Sequence, residues 1–219
     1  ARPHPEQFHL MADEHLTEVS FTNLHLPESL ARGVADAGFE RFTPIQVQTL
    51  PRALAGFDIA GQAQTGTGKT AAFLIALYSR LLRAEIPSTR KINSPLALII
   101  APTRELAVQI HHDAELLGQY TGLKLCLAFG GVDYEKQRRD LEDGVDILIG
   151  TPGRLIDFYK QQVFDLRSVQ VLVLDEADRM FDLGFIADIR YILRRLPPPD
   201  QRLNLLFSAT LAQRVLELA

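Results

Sequence analysis

Six short and nearly continuous apolar runs divide this sequence. They are DIAGQ (58–62), LALIIAP (96–102), LKLCLAF (123–129), VDILIG (145–150), VQVLVLD (169–175) and LNLLFS (203–208). Most read as strands covered on both faces, because a strand with one wet face would alternate apolar and polar residues. Helical patterns fill most of the intervals, over 69–84, 104–118, 134–142, 154–161 and 185–196. Strands alternating with helices need crossover connections, so the expected fold is α/β: a mostly parallel central sheet with helices on both faces. Loops over 87–95 and 197–202 carry Pro and polar residues, and no repeat or low-complexity linker interrupts the pattern. Residues 1–20 read as a mobile tail ahead of one unit over 21–219.

The way each run ends is as informative as the run. In chain order the endings are AQTGTGKT (63–70), PTRE (102–105), GG (130–131), TPGR (151–154), DEAD (175–178) and SAT (208–210). A parallel sheet brings all of these to its carboxyl edge, where open α/β folds bind ligands. Thr103, Thr151 and Thr210 each read as a helix N-cap, with Pro152 at a first helical position. Helix N-termini also present free N–H groups and a positive dipole to phosphate, and the two readings are compatible.

AQTGTGKT is the strongest single motif. It matches the phosphate-binding pattern at Gly68, Lys69 and Thr70, with Ala63 in place of the usual first glycine. Gly66 and Gly68 let the backbone of Ala63, Gln64, Thr65 and Thr67 wrap a phosphate chain, and successive N–H groups form an anion nest. Lys69 is expected to reach the β- and γ-phosphates of ATP, and the Thr70 hydroxyl to ligate Mg²⁺. The acids that close VQVLVLDEAD then acquire a reason. Burying carboxylates at a strand end is costly unless a cation meets them. Asp175 is the expected second holder of Mg²⁺, and Glu176 is placed to orient or deprotonate the water that attacks the γ-phosphate.

Composition limits the surroundings. The formal net charge is −4, so any grip on nucleic acid must come from a local basic surface. No 18-residue uncharged apolar stretch exists to span a membrane, and the first residues lack a basic-then-apolar secretory signature. A lone cysteine, Cys126, in an apolar run points to a reducing compartment, the cytoplasm.

Taken together and in order, TPIQ (43–46), AQTGTGKT, PTREL (102–106), GG, TPGR, DEAD and SAT resemble the DEAD-box RNA helicases. The resemblance covers about residues 20 to 219 and implies the amino-terminal RecA-like lobe of such an enzyme, a P-loop NTPase lobe. Ala63 matches the family form of the P-loop. The resemblance also implies that GFERFTPIQ (38–46) reads adenine: Gln46 by its amide, Phe39 by stacking, Phe21 by support from upstream. Spacing alone leaves open the plainer reading, in which Phe39 and Ile45 are core and Gln46 is exposed. Ser208 and Thr210 are implied to hydrogen-bond Asp178 and so couple the nucleotide site to RNA.

The implied RNA path runs over Pro102, Thr103, Arg104, Gly130, Gly131, Thr151, Gly153 and Arg154. Helix N-termini and arginines of this kind grip phosphates without reading bases, so little sequence preference is expected. RNA-degradation machinery enters as a partner on the resemblance alone. His111 and His112 read as helix surface, since no third ligand has suitable metal spacing. Lys136, Arg138 and Arg139 read as a solvated helix face. No HRxGRxxR-like run follows SAT. The family's second lobe and its arginine finger are therefore expected to lie outside this sequence, leaving the fragment nearly inactive alone. A P-loop ATPase acting on DNA or protein, and an ATP-gated RNA clamp or scaffold, are the rival readings.

Overall fold

The computed structural model of the protein describes residues 20–218, so the tail expected over 1–20 falls, save Ser20, outside the described residues. After a 3₁₀ turn at Phe21–Asn23 come α1 (Glu28–Asp36) and α2 (Pro44–Leu54). The chain then alternates: β1 (Ile59–Gln62), α3 (Lys69–Arg83), β2 (Ala97–Ile100), α4 (Arg104–Gly118), β3 (Leu125–Ala128) and α5 (Tyr134–Glu142). It continues through β4 (Ile147–Gly150), α6 (Pro152–Lys160), β5 (Val171–Leu174), α7 (Ala177–Asp182), α8 (Ile186–Leu193), β6 (Leu203–Ser208) and α9 (Gln213–Leu216).

All pairings among these six strands are parallel, in the order β1-β6-β5-β2-β4-β3. The last strand in sequence therefore slots between the first and the fifth, with Gln62 opposite Ser208 and Leu174 opposite Leu206. Successive strand side chains point to opposite faces. Ala97 and Ile99 join a core with residues of α1, α2, α3 and α4, while Leu98 and Ile100 join a second core with α5, α6, α7 and α8. Each fully buried large aliphatic side chain contributes roughly 1.5–3 kcal/mol. The continuous apolar runs thus match a sheet covered on both faces.

Helices α1 and α2 are not among those the apolar pattern predicts. α2 carries Pro51 in its interior, which lowers its local helical signal. Its start is set instead by Pro44 at the first helical position and by Gln46 Oε1 accepting the Thr43 N–H at 2.9 Å. Packing against α3 then holds it. The expected caps divide. Thr103 caps α4 by accepting the Leu106 N–H, and Thr151 precedes α6 without a side-chain cap bond. Thr210 caps nothing: α9 begins only at Gln213, after Ala212, and Thr210 is exposed in the intervening segment.

Candidate functional site

The ends of β1, β6 and β5 enclose a groove of about 420 Å³ lined by Ala63, Gln64, Thr65, Lys69, Glu176 and Asp178 among others. Ala63, Gln64, Thr65, Gly66 and Thr67 form the turn after β1, with Thr67 Oγ1 donating to the Gln64 carbonyl at 2.8 Å. Gly66 and Gly68 both have positive φ, and Gly68 is the N-cap of α3. A Cβ on Gly68 would also stand 2.6 Å from Gln46 Nε2 and 2.8 Å from Thr43 Oγ1. Glycine is required there by conformation and by space.

Lys69 and Asp175 meet across this turn. Lys69 Nζ lies 2.8 Å from Asp175 Oδ1, with their side chains only 5% and 0% exposed. Asp175 Oδ1 also accepts the Glu176 N–H at 2.9 Å. Burial raises the Asp175 carboxyl above its ordinary value, and the Lys69 ammonium opposes that rise. The other oxygen, Oδ2, is buried with no hydrogen-bond partner. An orphaned carboxylate oxygen close to a phosphate-type turn, with the half-buried Thr70 next to Lys69, is a hard-oxygen donor set that suits Mg²⁺ completed by phosphate and water.

Glu176 occupies the left-handed region at φ 52°, one of two described non-glycine residues with positive φ. Such a conformation costs on the order of 1 kcal/mol and persists only where its surroundings enforce it. Here it bends the chain between β5 and α7. Arg179 Nη1 stands 3.6 Å from the Glu176 carboxylate. The Asp178 N–H donates to Ser208 Oγ at 3.1 Å, tying α7 to β6. The link expected between these motifs is thus made by Asp178 through its backbone. Thr210, two residues beyond the strand and exposed, corrects its expected share in that contact.

Gln46 is buried at 1% exposure, so the plainer reading of an exposed amide fails. Its Oε1 accepts the Thr43 N–H, and its Nε2 donates to the Gly68 carbonyl at 3.1 Å. The amide thus braces the phosphate-type turn in this structure, with Thr43 Oγ1 buried beside it. Ile45 is core, as that reading held. Phe39 is half-buried and packs on Phe21 at 5.6 Å, and Phe21 packs on Phe42 at 4.2 Å.

The ends of β2, β4 and β3 are built differently. Arg104 is exposed at the start of α4 with its guanidinium 5.3 Å from the Phe129 ring. Gly130, Gly131 and Gly153 are exposed, Thr103 and Thr151 are half-buried, and Pro102 is buried, so Pro102 offers packing and not surface. Arg154 is half-buried against Tyr134 and Phe158, at 4.8 and 5.3 Å, and donates to Gln137 Oε1 at 3.0 Å. The same Gln137 oxygen accepts the Phe129 N–H at 3.2 Å. One buried amide on α5 therefore fixes both Arg154 and the backbone that leads into Gly130 and Gly131.

Gln137, Thr43 and Arg179 are site residues that reasoning from sequence missed. Gln137 lies six residues after Gly131 in a very polar helix, and its burial at 8% is the only sign that separates it from its neighbours. The basic cluster beside it behaves as expected: Lys136 pairs with Asp140 and Arg138 with Glu142 along the exposed helix. His111 and His112 lie near Glu115 and Asp113 on α4. No helix among the described residues is long and apolar enough to cross a membrane.

A turn built for phosphate, an acid pair facing it and a RecA-like parallel sheet define a P-loop nucleotide-binding lobe. The DEAD/DEAH box helicase family model matches residues 43–218, and the chain belongs to that family. It is 60% identical over 209 residues to the "ATP-dependent RNA helicase RhlB" of Aliivibrio salmonicida, covering 95% of this chain and 48% of that protein. The corresponding protein of Shigella dysenteriae is 59% identical, over 95% of this chain and 50% of its own length. The chain thus spans about half the length of the curated relatives it matches. Among solved structures, a DEAD box protein from the hyperthermophile Methanococcus jannaschii superposes with a TM-score of 0.80 at 35% identity, over 91% of this chain and 52% of that one.

Proposed function

We propose that this chain is the nucleotide-binding lobe of a longer ATP-dependent RNA helicase, which couples ATP hydrolysis to local opening of RNA duplexes. The buried Lys69–Asp175 pair carries the reading. A cation held on a strand-end carboxylate, at the mouth of a turn rich in free N–H groups, is poised to exchange that partner for phosphate oxygens. Phosphoryl transfer needs mainly positioning and charge neutralisation. Lys69 supplies positive charge, Ala63 to Gly68 supply backbone donors, and Thr70 with Asp175 would hold Mg²⁺. When bound, Mg²⁺ adds charge neutralisation between the phosphates. Glu176, one residue beyond the buried acid, orients the attacking water and accepts its proton.

Adenine selection falls to Gln46 and Phe39. Gln46 is already hydrogen-bonded to Thr43 and Gly68, so reading a base requires its amide to use its remaining hydrogen and lone pair or to release the turn. Coupling runs through the Asp178–Ser208 hydrogen bond, with Thr210 free to engage once the segment after β6 moves. RNA phosphates lie along Thr103, Arg104, Gly130, Gly131, Thr151, Gly153 and Arg154, with Pro102 shaping the first of these turns. A second lobe completes both sites, and action on RNA is supported by the relatives' name, ATP-dependent RNA helicase. A cytoplasmic location and RNA-degradation machinery as partner rest on the family resemblance alone.

The test is RNA-stimulated ATP hydrolysis and strand separation by the full-length protein. Stimulation by RNA and not by DNA of equal length, together with strand separation, is the expected result. Stimulation by DNA alone, or RNA binding without strand separation, would favour a DNA-acting ATPase or an ATP-gated clamp instead.

A further inference from the structure

At the amino edge of the sheet, opposite the nucleotide and RNA halves, the segments leading into β2 and β5 meet the ends of α6 and α8. They surround an open groove of about 680 Å³ whose lining includes Lys91, Lys160, Arg167, Arg195, Tyr159 and Tyr191. Only one carboxylate lines it, and that one is already engaged. Asp165 lies 3.2 Å from Arg167 Nη2, accepts the Arg167 N–H at 3.1 Å and is hydrogen-bonded by Ser94. Among the described residues, no carboxylate stands within ion-pair distance of Lys91, Lys160 or Arg195. In a chain of net charge −4, this is a concentrated cationic hollow.

Cations often gather at helix C-termini, where they meet unsatisfied carbonyls. That accounts for Arg195, which donates to the Tyr191 carbonyl at 2.7 Å, and for Lys160 in the last turn of α6. It does not account for Lys91 and Arg167, which belong to loops and face the same hollow. The aromatic residues narrow the choice of ligand. A site for single-stranded RNA offers open ring faces on which bases stack. Here the Arg195 guanidinium lies 3.2 Å from the Tyr191 centroid and Lys160 Nζ lies 5.4 Å from it. Tyr159 packs edge-on against both Phe164 and Tyr191. The rings are spent on holding the cations, which orders Arg195 in advance and lowers the entropy lost when an anion pairs with it.

We propose that this groove binds a short acidic segment of a partner protein, its carboxylates pairing with Lys91, Lys160, Arg167 and Arg195. The site is independent of the nucleotide and RNA halves, so the helicase reading can fail while this one stands. The test is fluorescence anisotropy at low salt on the full chain with labelled octaglutamate, alongside backbone NMR shifts. A Lys91→Glu/Lys160→Glu double variant alters two exposed residues and leaves the core intact. Octaglutamate should bind the parent chain and shift the amides around Lys91, Lys160 and Arg195. The double variant should lose affinity by about tenfold or more, since two attractions become repulsions. Its nucleotide binding and melting temperature should not change. Absence of octaglutamate binding, or binding that survives the double reversal, overturns the proposal. So does an oligouridylate that binds through the same two lysines and displaces the peptide, which would make the groove a second RNA contact.

Discussion

Along one edge of the sheet, the ends of β1, β6 and β5 hold charge away from water, whereas the ends of β2, β4 and β3 hold exposed glycines and arginines in it. In the first region Lys69 and Asp175 are both buried and pair with each other at 2.8 Å. In the second, Arg104 is exposed and Arg154 is half-buried against aromatic rings. The difference suits the tasks proposed for the two regions. Stabilising a charge that develops during phosphoryl transfer works best where the dielectric is low and the dipoles are already fixed. Gripping a solvated phosphate backbone without reading its bases works with accessible donors and few buried groups. The first region should therefore be brittle to substitution and the second graded.

The sharpest way to break this comparison is Lys69→Ala. It leaves the Asp175 carboxylate buried without its cation, a defect that costs about 3–5 kcal/mol. Urea unfolding without nucleotide should show this loss, together with loss of nucleotide binding. Retention of parent stability would mean that the pair is not a coupled unit in solution.

Glu176→Gln isolates the chemistry from the fold. The amide has the same shape but cannot accept a proton, so turnover in the two-lobed protein should fall by about 10²–10⁴-fold with Mg·ATP binding kept. Asp175→Asn should instead weaken the hold on the metal. Parent turnover in both variants would remove the roles given to these acids.

Gln46→Ala tests whether the buried amide braces the turn, reads the base, or does both. Loss of base reading should cost adenine nucleotides about 1–3 kcal/mol more than guanine nucleotides in a titration. Loss of the brace to Gly68 should weaken both alike. Equal weakening would assign Gln46 to the turn alone.

The smallest effects belong to the RNA half. Arg154→Ala in the two-lobed protein should weaken unrelated RNA sequences similarly and flatten the salt dependence by about one charge. Gln137→Ala should produce a similar uniform loss without removing any charge, because Arg154 and the Phe129 backbone lose their shared anchor. A loss confined to one RNA sequence in either variant would show base reading there.

Much of the nucleotide half was legible before any tertiary information, because its motif is contiguous. Gly66, Gly68, Lys69 and Thr70 follow one strand directly, and Asp175 and Glu176 follow another. The proposed RNA half is suggested only by its order of short blocks, and its anchor Gln137 is not marked in the sequence at all. Its role depends on Phe129 and Arg154, which lie 8 and 17 positions away in the chain. Thr210 shows the opposite error: a sound capping residue goes unused because the next helix begins three residues later.

The sequence by itself determined the six strands, the crossover helices between them and the polar segment at the end of each run. Those properties follow from periodicity and turn chemistry among near neighbours in the chain. Tertiary structure alone decided the strand order, which sets β6 between β1 and β5 and so brings Ser208 to the Asp178 amide. It also decided the burial of Gln46 against Gly68, the left-handed turn at Glu176 and the closure of Lys69 on Asp175. Each joins or strains groups that no local pattern links, and each depends on the packing of helices on both faces of the sheet, which brings distant parts of the chain together.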